Sequence, residues 1–411
     1  MTNASGARTA FLAWTGAVAV SVVLIALTQY TTRDPDSRLY AGIAARLSQQ
    51  PVDRWIAPEW WGFWGLDALY CEHPVGIFLA PAALGRLGFP AEQAAYAVNV
   101  LYQAASLALI VLIARVLVEP EEARALAWLL QLLPIAFVFR IRANHEYALL
   151  AGLLVAVYST ERARTRPIWT LGMMAGLCFV LLVKGVFALT VPVTCAIWLI
   201  ARARQAPGAP SAWHALAAVG LMPVVAALVA WGYDAAYLQA TGRSFLAIYQ
   251  SRQVPPDALA VAVSWWAVPY ATVWYLGRII WYAFPWSVVA GVIAWRALRS
   301  GDAWPWRQRG REALDRLSSP AWQGAWFALV SSVVLTLGFS LAGRKADRYL
   351  FSVYFILGAA GAIAAVRRFG WLRRLVDRLD RPWVPAVIYV ALFLAALFTA
   401  GKLPTFTFWR S

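Results

Sequence analysis

Acidic and basic side chains lie at the ends of long apolar runs in this sequence. Asp36 follows the first run, Glu146 begins a later one, and Lys184 ends another. Ionisable groups in such places are costly unless they are paired or functional. A carboxylate within hydrogen-bond reach of a hydroxyl can act as a general base. Lysine and arginine can stabilise the charge of a leaving phosphate. These residue types therefore indicate proton transfer beside an anion-binding site.

Lysine is rare in a chain that is otherwise rich in positive charge. Among 36 Lys and Arg residues, only Lys184, Lys345 and Lys402 are lysines. The topology given below puts all three on the face opposite the arginine-rich links. A single outer lysine is commonly a solvated anchor, but cations on this face run against the positive-inside tendency. Three of them favour a phosphate ligand such as a lipid head group.

The composition predicts an all-α integral membrane protein. Of 411 residues, 61% are hydrophobic and 14% are charged, and the mean hydropathy is +0.60. Apolar runs of about 20 residues are typical of transmembrane helices, because each spanning segment must satisfy its own backbone. The net charge of +16 is spread over short links, which disfavours a nucleic-acid partner and favours anionic membrane lipids.

About eleven spans follow from the hydropathy pattern. We place them at 11–30, 92–117, 123–140, 146–160, 168–183, 185–201, 213–236, 270–297, 322–342, 348–366 and 383–402. The links 161–167, 202–204, 296–316 and 367–381 carry the arginines, and all fall on one side if the N-terminus is cytoplasmic. The acidic link 118–122 on that side is the exception. We expect a multi-pass protein of the bacterial inner membrane.

Two long segments, 31–91 and 237–269, are left on the outer face. Loops of this length in a compact protein are usually functional or disordered, and their tryptophans argue against disorder. We expect amphipathic juxtamembrane helices in the first segment, including 74–89, since a span there would invert every later link. The second segment is interpreted as a lid over the site or as a plain connector.

The predicted outer face gathers the candidate site residues. For Asp36 the alternative is a helix N-cap, and for 140–147 it is an interfacial cap with snorkelling arginines. Shared sidedness favours a functional cluster. Its members are Asp34, Asp36, Tyr40, Glu72, His73, Arg142, His145, Glu146, Lys184, Arg344, Lys345, Arg348 and Tyr349.

Several short motifs in this order resemble the GT-C polyprenyl-phosphate-sugar transferases. Asp36-Ser37-Arg38-Leu39-Tyr40-Ala41 is similar to the first-loop motif of that superfamily, and Glu72-His73-Pro74 to its acid-basic-Pro motif. Leu182-Val183-Lys184-Gly185 and Arg344-Lys345-Ala346-Asp347-Arg348-Tyr349-Leu350 resemble two later ones. The nearest branch is the bacterial relatives of protein O-mannosyltransferases and aminoarabinose transferases.

The resemblance implies a GT-C fold and a role for each residue. Asp36 would be the catalytic base, and Glu146 would replace a second Asp that places substrate or a divalent metal. Lys184, Arg344, Lys345 and Arg348 would bind the donor phosphate. Asp34, Tyr40, Glu72, His73, Arg142, His145 and Tyr349 would line the sugar and substrate site.

Two departures from the family pattern limit these expectations. Ser37 stands where the family often has Glu, and His73 stands where aminoarabinose transferases have Lys. The second difference weakens an aminosugar as the specific donor. We expect a single transmembrane domain over 1–411 without the soluble outer domain of larger members. No cofactor is required, although a metal on Asp36 and Glu146 stays open.

The sequence thus predicts an inverting glycosyltransferase that uses a polyprenyl-phosphate sugar. Its acceptor would be lipopolysaccharide, another glycolipid, a wall polymer or a protein. A lipid-linked-sugar transporter is the first alternative, but transporters tend to have internal repeats and binding groups at mid-bilayer. A non-catalytic assembly subunit is the second, and it would not need acids beside phosphate-binding cations.

Overall fold

The computed structural model is a bundle of helices, and the apolar runs of the sequence form its long helices. It describes residues 4–62, 65–66, 68–203, 212–253, 266–300, 319–342 and 345–399. Lys402, Arg344 and the segment 254–265 lie outside these residues. The first helices are α1 (Ala4–Leu27), α2 (Pro35–Gln49), α3 (Gly76–Arg86), α4 (Ala91–Ala114), α5 (Pro120–Leu129) and α6 (Pro134–Phe139).

The later helices continue this bundle. They are α7 (Glu146–Ala163), α8 (Thr170–Lys184), α9 (Thr190–Arg202), α10 (Trp213–Thr241), α11 (Phe245–Gln253), α12 (Ala267–Tyr282), α13 (Trp286–Ser300), α14 (Pro320–Ser340), α15 (Phe351–Arg368), α16 (Gly370–Arg378) and α17 (Val384–Thr399). A small antiparallel hairpin, β1 (Gly65–Leu66) and β2 (Leu69–Tyr70), lies between α2 and α3.

Six helical stretches among the described residues are long and apolar enough to cross a membrane, or seven if the bent pair α12–α13 is one span. The protein is therefore a multi-pass, all-α membrane protein. The predicted count of eleven stays a prediction, because α8 and α9 fall in one continuous stretch, 167–202, and the six stretches do not include α5, α6, α7 or α17. The predicted span 123–140 is broken by Pro134 into α5 and α6, since proline cannot continue a helical hydrogen-bond ladder.

The chain reverses at Gly185, between α8 and α9. Gly185 has a φ of +52°, in the left-handed region that favours glycine. Arg202 at the end of α9 lies 3.1 Å from Glu161 at the end of α7, close in sequence to the start of α8. The ends of α7 and α9 and the start of α8 therefore meet at one end of the bundle, and Lys184 lies at the other.

Helices α7 and α8 approach closely enough to exclude side chains between them. A Cβ on Gly176 would lie 2.6 Å from the carbonyl oxygen of Gly152 and 2.9 Å from the nitrogen of Ala156. This contact fixes the register of the two helices. As a result Glu146, the first residue of α7, and Lys184, the last residue of α8, are held together.

The acidic link 118–122 is accounted for by ion pairs. Glu122 is buried and accepts hydrogen bonds of 2.8 and 2.6 Å from Arg367, and Arg373 lies 3.5 Å away. Arg124 binds Asp380 at 2.6 Å. The acids thus neutralise arginines at the same end of the bundle, which we call the arginine end.

Candidate active site

Helix α2 presents Asp36 in its first turn while a different residue caps the helix. Asp34 is the N-cap, and its carboxylate accepts a 3.0 Å hydrogen bond from the Ser37 nitrogen. Pro35 occupies the first helical position, where its missing N–H costs nothing. The alternative interpretation of Asp36 as the cap is therefore wrong, and its half-buried carboxylate is available for other contacts.

Ser37 joins α2 to the loop before α7. Its hydroxyl lies 2.6 Å from the Asp34 carboxylate and 2.7 Å from the Asn144 amide oxygen, and it accepts a 3.1 Å hydrogen bond from the Ala143 nitrogen. All of these atoms are buried or half-buried. Ser37 thus fixes the start of α2 against residues 143–144, directly before Glu146.

Four distant segments contribute the charges of the cluster. Arg348, just before α15, forms an ion pair with Asp36, and its Nε lies 3.7 Å from Glu146. The Nζ of Lys184 lies 3.7 Å from the same Glu146 oxygen. Two cations and two carboxylates therefore alternate within one site, which we call the charge cluster: Asp36, Glu146, Lys184 and Arg348.

Glu146 is the most enclosed member of this cluster. It is 1% exposed, and neither carboxylate oxygen has a hydrogen-bond partner within the described part of the chain. Buried polar groups are nearly always hydrogen-bonded, so this carboxylate can accept hydrogen bonds from a bound ligand in addition to its two cationic neighbours. A sugar hydroxyl is a donor of the right kind.

Two histidines line the same space. The rings of His73 and His145 are 4.8 Å apart, and His145 packs at 4.3 Å against Tyr40. Burial, followed by the nearby charges of Lys184 and Arg348, lowers the pKa of His73 well below its usual 6.5. Burial and then the neighbouring His73 lower the pKa of His145 in the same direction. Both rings are therefore neutral at pH 7.

The outer residues of the predicted site form a second layer of ion pairs. Arg142 lies 3.3 Å from Asp34, and Glu72 binds Arg252 of α11 at 2.7 Å. Tyr349 lies 5.5 Å from the Lys184 ammonium, measured to its ring centre. Of the predicted lining residues, Tyr349 thus contacts a member of the charge cluster, whereas the ion pairs of Arg142 and Glu72 are made with Asp34 and Arg252 instead.

Lys345 differs from the other predicted phosphate ligands. Its side chain is exposed, and its ammonium lies 4.5 Å from the ring centre of Tyr270 rather than beside a carboxylate. Arg344 lies outside the described residues. The structure therefore joins Lys184 and Arg348 to the acids, and it shows no ion pair from Lys345 to them among the residues it describes.

Sequence reasoning missed the contributions of Ser37, Asn144 and Arg252. Ser37 was noticed only as a departure from a family motif, although a serine three residues after an Asp cap is a recognisable local pattern. The sequence places Arg252 in the second outer segment, 237–269, and does not indicate a partner for it. Its pairing with Glu72, 180 residues away, has no local signal.

The donor set does not fit a resident divalent ion. Asp36 faces a guanidinium, and Glu146 has two cations at 3.7 Å, so a third cation would be repelled. No group of three His, Cys, Asp or Glu residues in the described ranges could hold a metal.

The described residues form a polytopic, helical membrane protein, and comparisons with known proteins show what its sequence and fold resemble. The sequence pattern described as dolichyl-phosphate-mannose-protein mannosyltransferase matches residues 72–231. No curated protein sequence gives a match. ArnT from Cupriavidus metallidurans, bound to undecaprenyl phosphate, superimposes with a TM-score of 0.59 at 15% identity, covering 95% of this chain and 77% of that one.

A second solved structure has the same fold with a longer chain. The archaeal oligosaccharyltransferase AglB from Archaeoglobus fulgidus, in complex with an inhibitory peptide and a dolichol-phosphate, gives a TM-score of 0.50 at 12% identity. The match covers 95% of this chain and 55% of AglB. At 15% and 12% identity, these two likenesses show a shared fold.

Proposed function

We propose that the protein transfers a sugar from a polyprenyl-phosphate donor to a hydroxyl acceptor, with inversion at the anomeric carbon. The observation that carries this proposal is the charge cluster, in which Arg348 contacts Asp36 and also approaches the buried Glu146. A departing phosphate needs cations that stabilise its charge, and an attacking hydroxyl needs a base that takes its proton. The charge cluster contains groups of both kinds.

The donor phosphate would bind Lys184 and Arg348. Arginine can hold phosphate through two parallel hydrogen bonds, and lysine adds a point charge. When the phosphate engages Arg348, the Asp36 carboxylate loses its guanidinium partner and becomes free to accept a proton. Arg344 and Lys345 are proposed as further phosphate ligands.

The reaction is a single displacement. The acceptor hydroxyl gives its proton to Asp36 as its oxygen forms a bond to the anomeric carbon. The bond from that carbon to the phosphate oxygen breaks, and its electron pair leaves with polyprenyl phosphate. Glu146 accepts a hydrogen bond from a sugar hydroxyl and thereby orients the ring. The sugar site is lined by the neutral side chains of His73, His145 and Tyr40. It is also lined by Glu72, which is paired with Arg252.

Sidedness follows from the positions of the arginines. The charge cluster lies at the end of the bundle opposite the arginine end, so the positive-inside rule assigns it to the outer face. We therefore propose a bacterial inner-membrane enzyme whose N-terminus is cytoplasmic and whose acceptor is a glycolipid, polysaccharide or protein outside the cell. One transmembrane domain covers the chain in this proposal.

An assay of polyprenyl phosphate release tests the proposal. Purified protein in lipid nanodiscs is incubated with a panel of undecaprenyl-phosphate sugars and an envelope extract that supplies acceptors. We expect release of undecaprenyl phosphate, measured by mass spectrometry, to depend on both donor and extract. The same protein in sealed proteoliposomes tests the alternative. Movement of intact donor across the proteoliposome membrane, with no release in any combination, would instead support a transporter.

A further inference from the structure

A second cavity lies within the bundle, apart from the charge cluster. It has a volume of about 450 Å³ and is lined by α4, α5, α7, α9, α13, α14, α15 and the link between α4 and α5. On α15 it extends from Phe355 to Arg368, which corresponds to about 20 Å along a helix. Its walls include Ile110, Leu154, Trp198, Phe327, Ala360 and Ile363. An apolar cavity of this length fits a hydrocarbon chain.

The polar groups of this cavity are at the arginine end. Arg367 and Arg368 line it there, together with Pro320, the first residue of α14. Arg367 is neutralised by the buried Glu122, to which it donates two hydrogen bonds. Arg368 is exposed and has no ion-pair partner among the described residues. One cation is thus free at the mouth of an apolar cavity.

The neighbouring helix α16 marks this end as a membrane surface. Its sequence places Arg373 and Arg374 on one side and Leu372 and Val376, both buried, on the other. Trp371 is 61% exposed at its start. An amphipathic helix with arginines and an exposed tryptophan is typical of the headgroup region of a membrane with anionic lipids.

We propose that this cavity binds one acyl chain of an anionic phospholipid from the leaflet at the arginine end. The headgroup phosphate contacts Arg368, and the chain lies along α15 towards Leu150, one turn from Glu146. The sugar donor is a poor match, because its phosphate belongs with Lys184 and Arg348 at the opposite end. The choice of a phospholipid over the sugar donor rests on the proposed function, whereas a phospholipid in the cavity can be detected whether or not the chain transfers sugars.

Photocrosslinking tests this site directly. The full chain is reconstituted in nanodiscs with phosphatidylglycerol that carries a diazirine in its acyl chain, and labelled residues are mapped by mass spectrometry. We expect labels on the cavity walls of α14 and α15. Ala360→Phe fills the cavity and should abolish these labels while size-exclusion chromatography shows an intact protein.

Arg368→Gln keeps the cavity and removes the headgroup contact. We expect about fivefold weaker retention of phosphatidylglycerol in native mass spectrometry, as the loss of one surface charge predicts. The control is Arg166→Gln, an exposed arginine at the same end but outside the cavity, which should retain the lipid.

Three results would overturn the proposal. Labels confined to outward-facing residues such as Leu329 would show annular lipid only. Displacement of the cavity labels by undecaprenyl phosphate would make the donor chain the occupant. Crosslinks to a second copy of the chain would make the cavity an interface.

Discussion

The Arg348 guanidinium contacts the Asp36 carboxylate although 312 positions separate the two residues. The contact brings the first turn of α2 to the segment before α15 and places both beside Glu146, which is 3.7 Å from the Arg348 Nε. A guanidinium shared by two acids can be drawn away by a phosphate. In our account this exchange prepares Asp36 for proton transfer only when donor is bound.

The buried pair of Glu146 and Lys184 yields a stability prediction. Glu146→Gln should destabilise the protein by about 3–5 kcal/mol, because it leaves the buried Lys184 ammonium without its carboxylate. Lys184→Met should also destabilise it, but by less, because the Arg348 Nε still lies 3.7 Å from Glu146. In the double variant, the loss in the free energy of unfolding should be smaller than the sum of the losses in the two single variants. Thermal unfolding in detergent measures this coupling.

A matched control for that cycle is Glu92→Gln, at an exposed position near the start of α4. It should leave the unfolding temperature unchanged. Strict additivity of the Glu146 and Lys184 effects would show that the 3.7 Å contact contributes no coupling energy.

Ser37 should act as a positioning residue for Asp36. Ser37→Ala removes the hydroxyl that joins Asp34, Ala143 and Asn144, which should cost about 1–3 kcal/mol of stability. We also expect a lower kcat with little change in the KM for donor, because the phosphate ligands stay in place. Steady-state kinetics separate the two constants.

Ser48→Ala on the same helix is the control for this effect, since the Ala45 carbonyl is the hydrogen-bond partner of that hydroxyl among the residues that the structure describes. If Ser37→Ala lowers stability but keeps the wild-type kcat, the Ser37 contacts are structural and Asp36 is positioned by other groups.

The neutral histidines predict a loss of stability in acid. The pKa of His73 is lower in the folded protein than in the unfolded chain, where it is near 6.5. Below that pH the unfolded state binds a proton that the folded state does not, so the free energy of unfolding falls. The slope is about 1.4 kcal/mol per pH unit for one such group.

His73→Gln should therefore reduce the drop in unfolding temperature between pH 7.5 and pH 5, with His145 responsible for part of what remains. His214→Gln, at an exposed position in the first turn of α10, should leave the drop unchanged. An identical acid response in wild type and His73→Gln would contradict the prediction.

The sequence predicted the fold class because apolar runs and arginine links are local patterns. It also predicted the neighbourhood of Asp36, Glu146 and Lys184, because the topology puts the first turns of α2 and α7 and the last turn of α8 at the same end of the bundle. It could not assign the caps of α2, because Asp34 and Asp36 are both acidic residues beside Pro35 and only geometry separates them.

The sequence could not predict which residues far apart along the chain form pairs. Lys345 and Arg348 are three residues apart, yet only Arg348 reaches the acids, because the short 3-10 turn Asp347–Leu350 directs their side chains differently. The acidic link 118–122 is an exception to the positive-inside pattern, and its Glu122 is bound to Arg367, 245 positions away. Such partners are set by helix packing and leave no local signature.

Asp36→Asn tests the central claim most directly. The variant keeps the shape of the side chain and removes its basicity, so the single-turnover rate of sugar transfer should fall by about 10²–10⁴-fold. Binding of undecaprenyl phosphate, measured separately, should persist, and Asp53→Asn at an exposed position nearby should retain full activity. A wild-type transfer rate in Asp36→Asn would show that another group takes the acceptor proton.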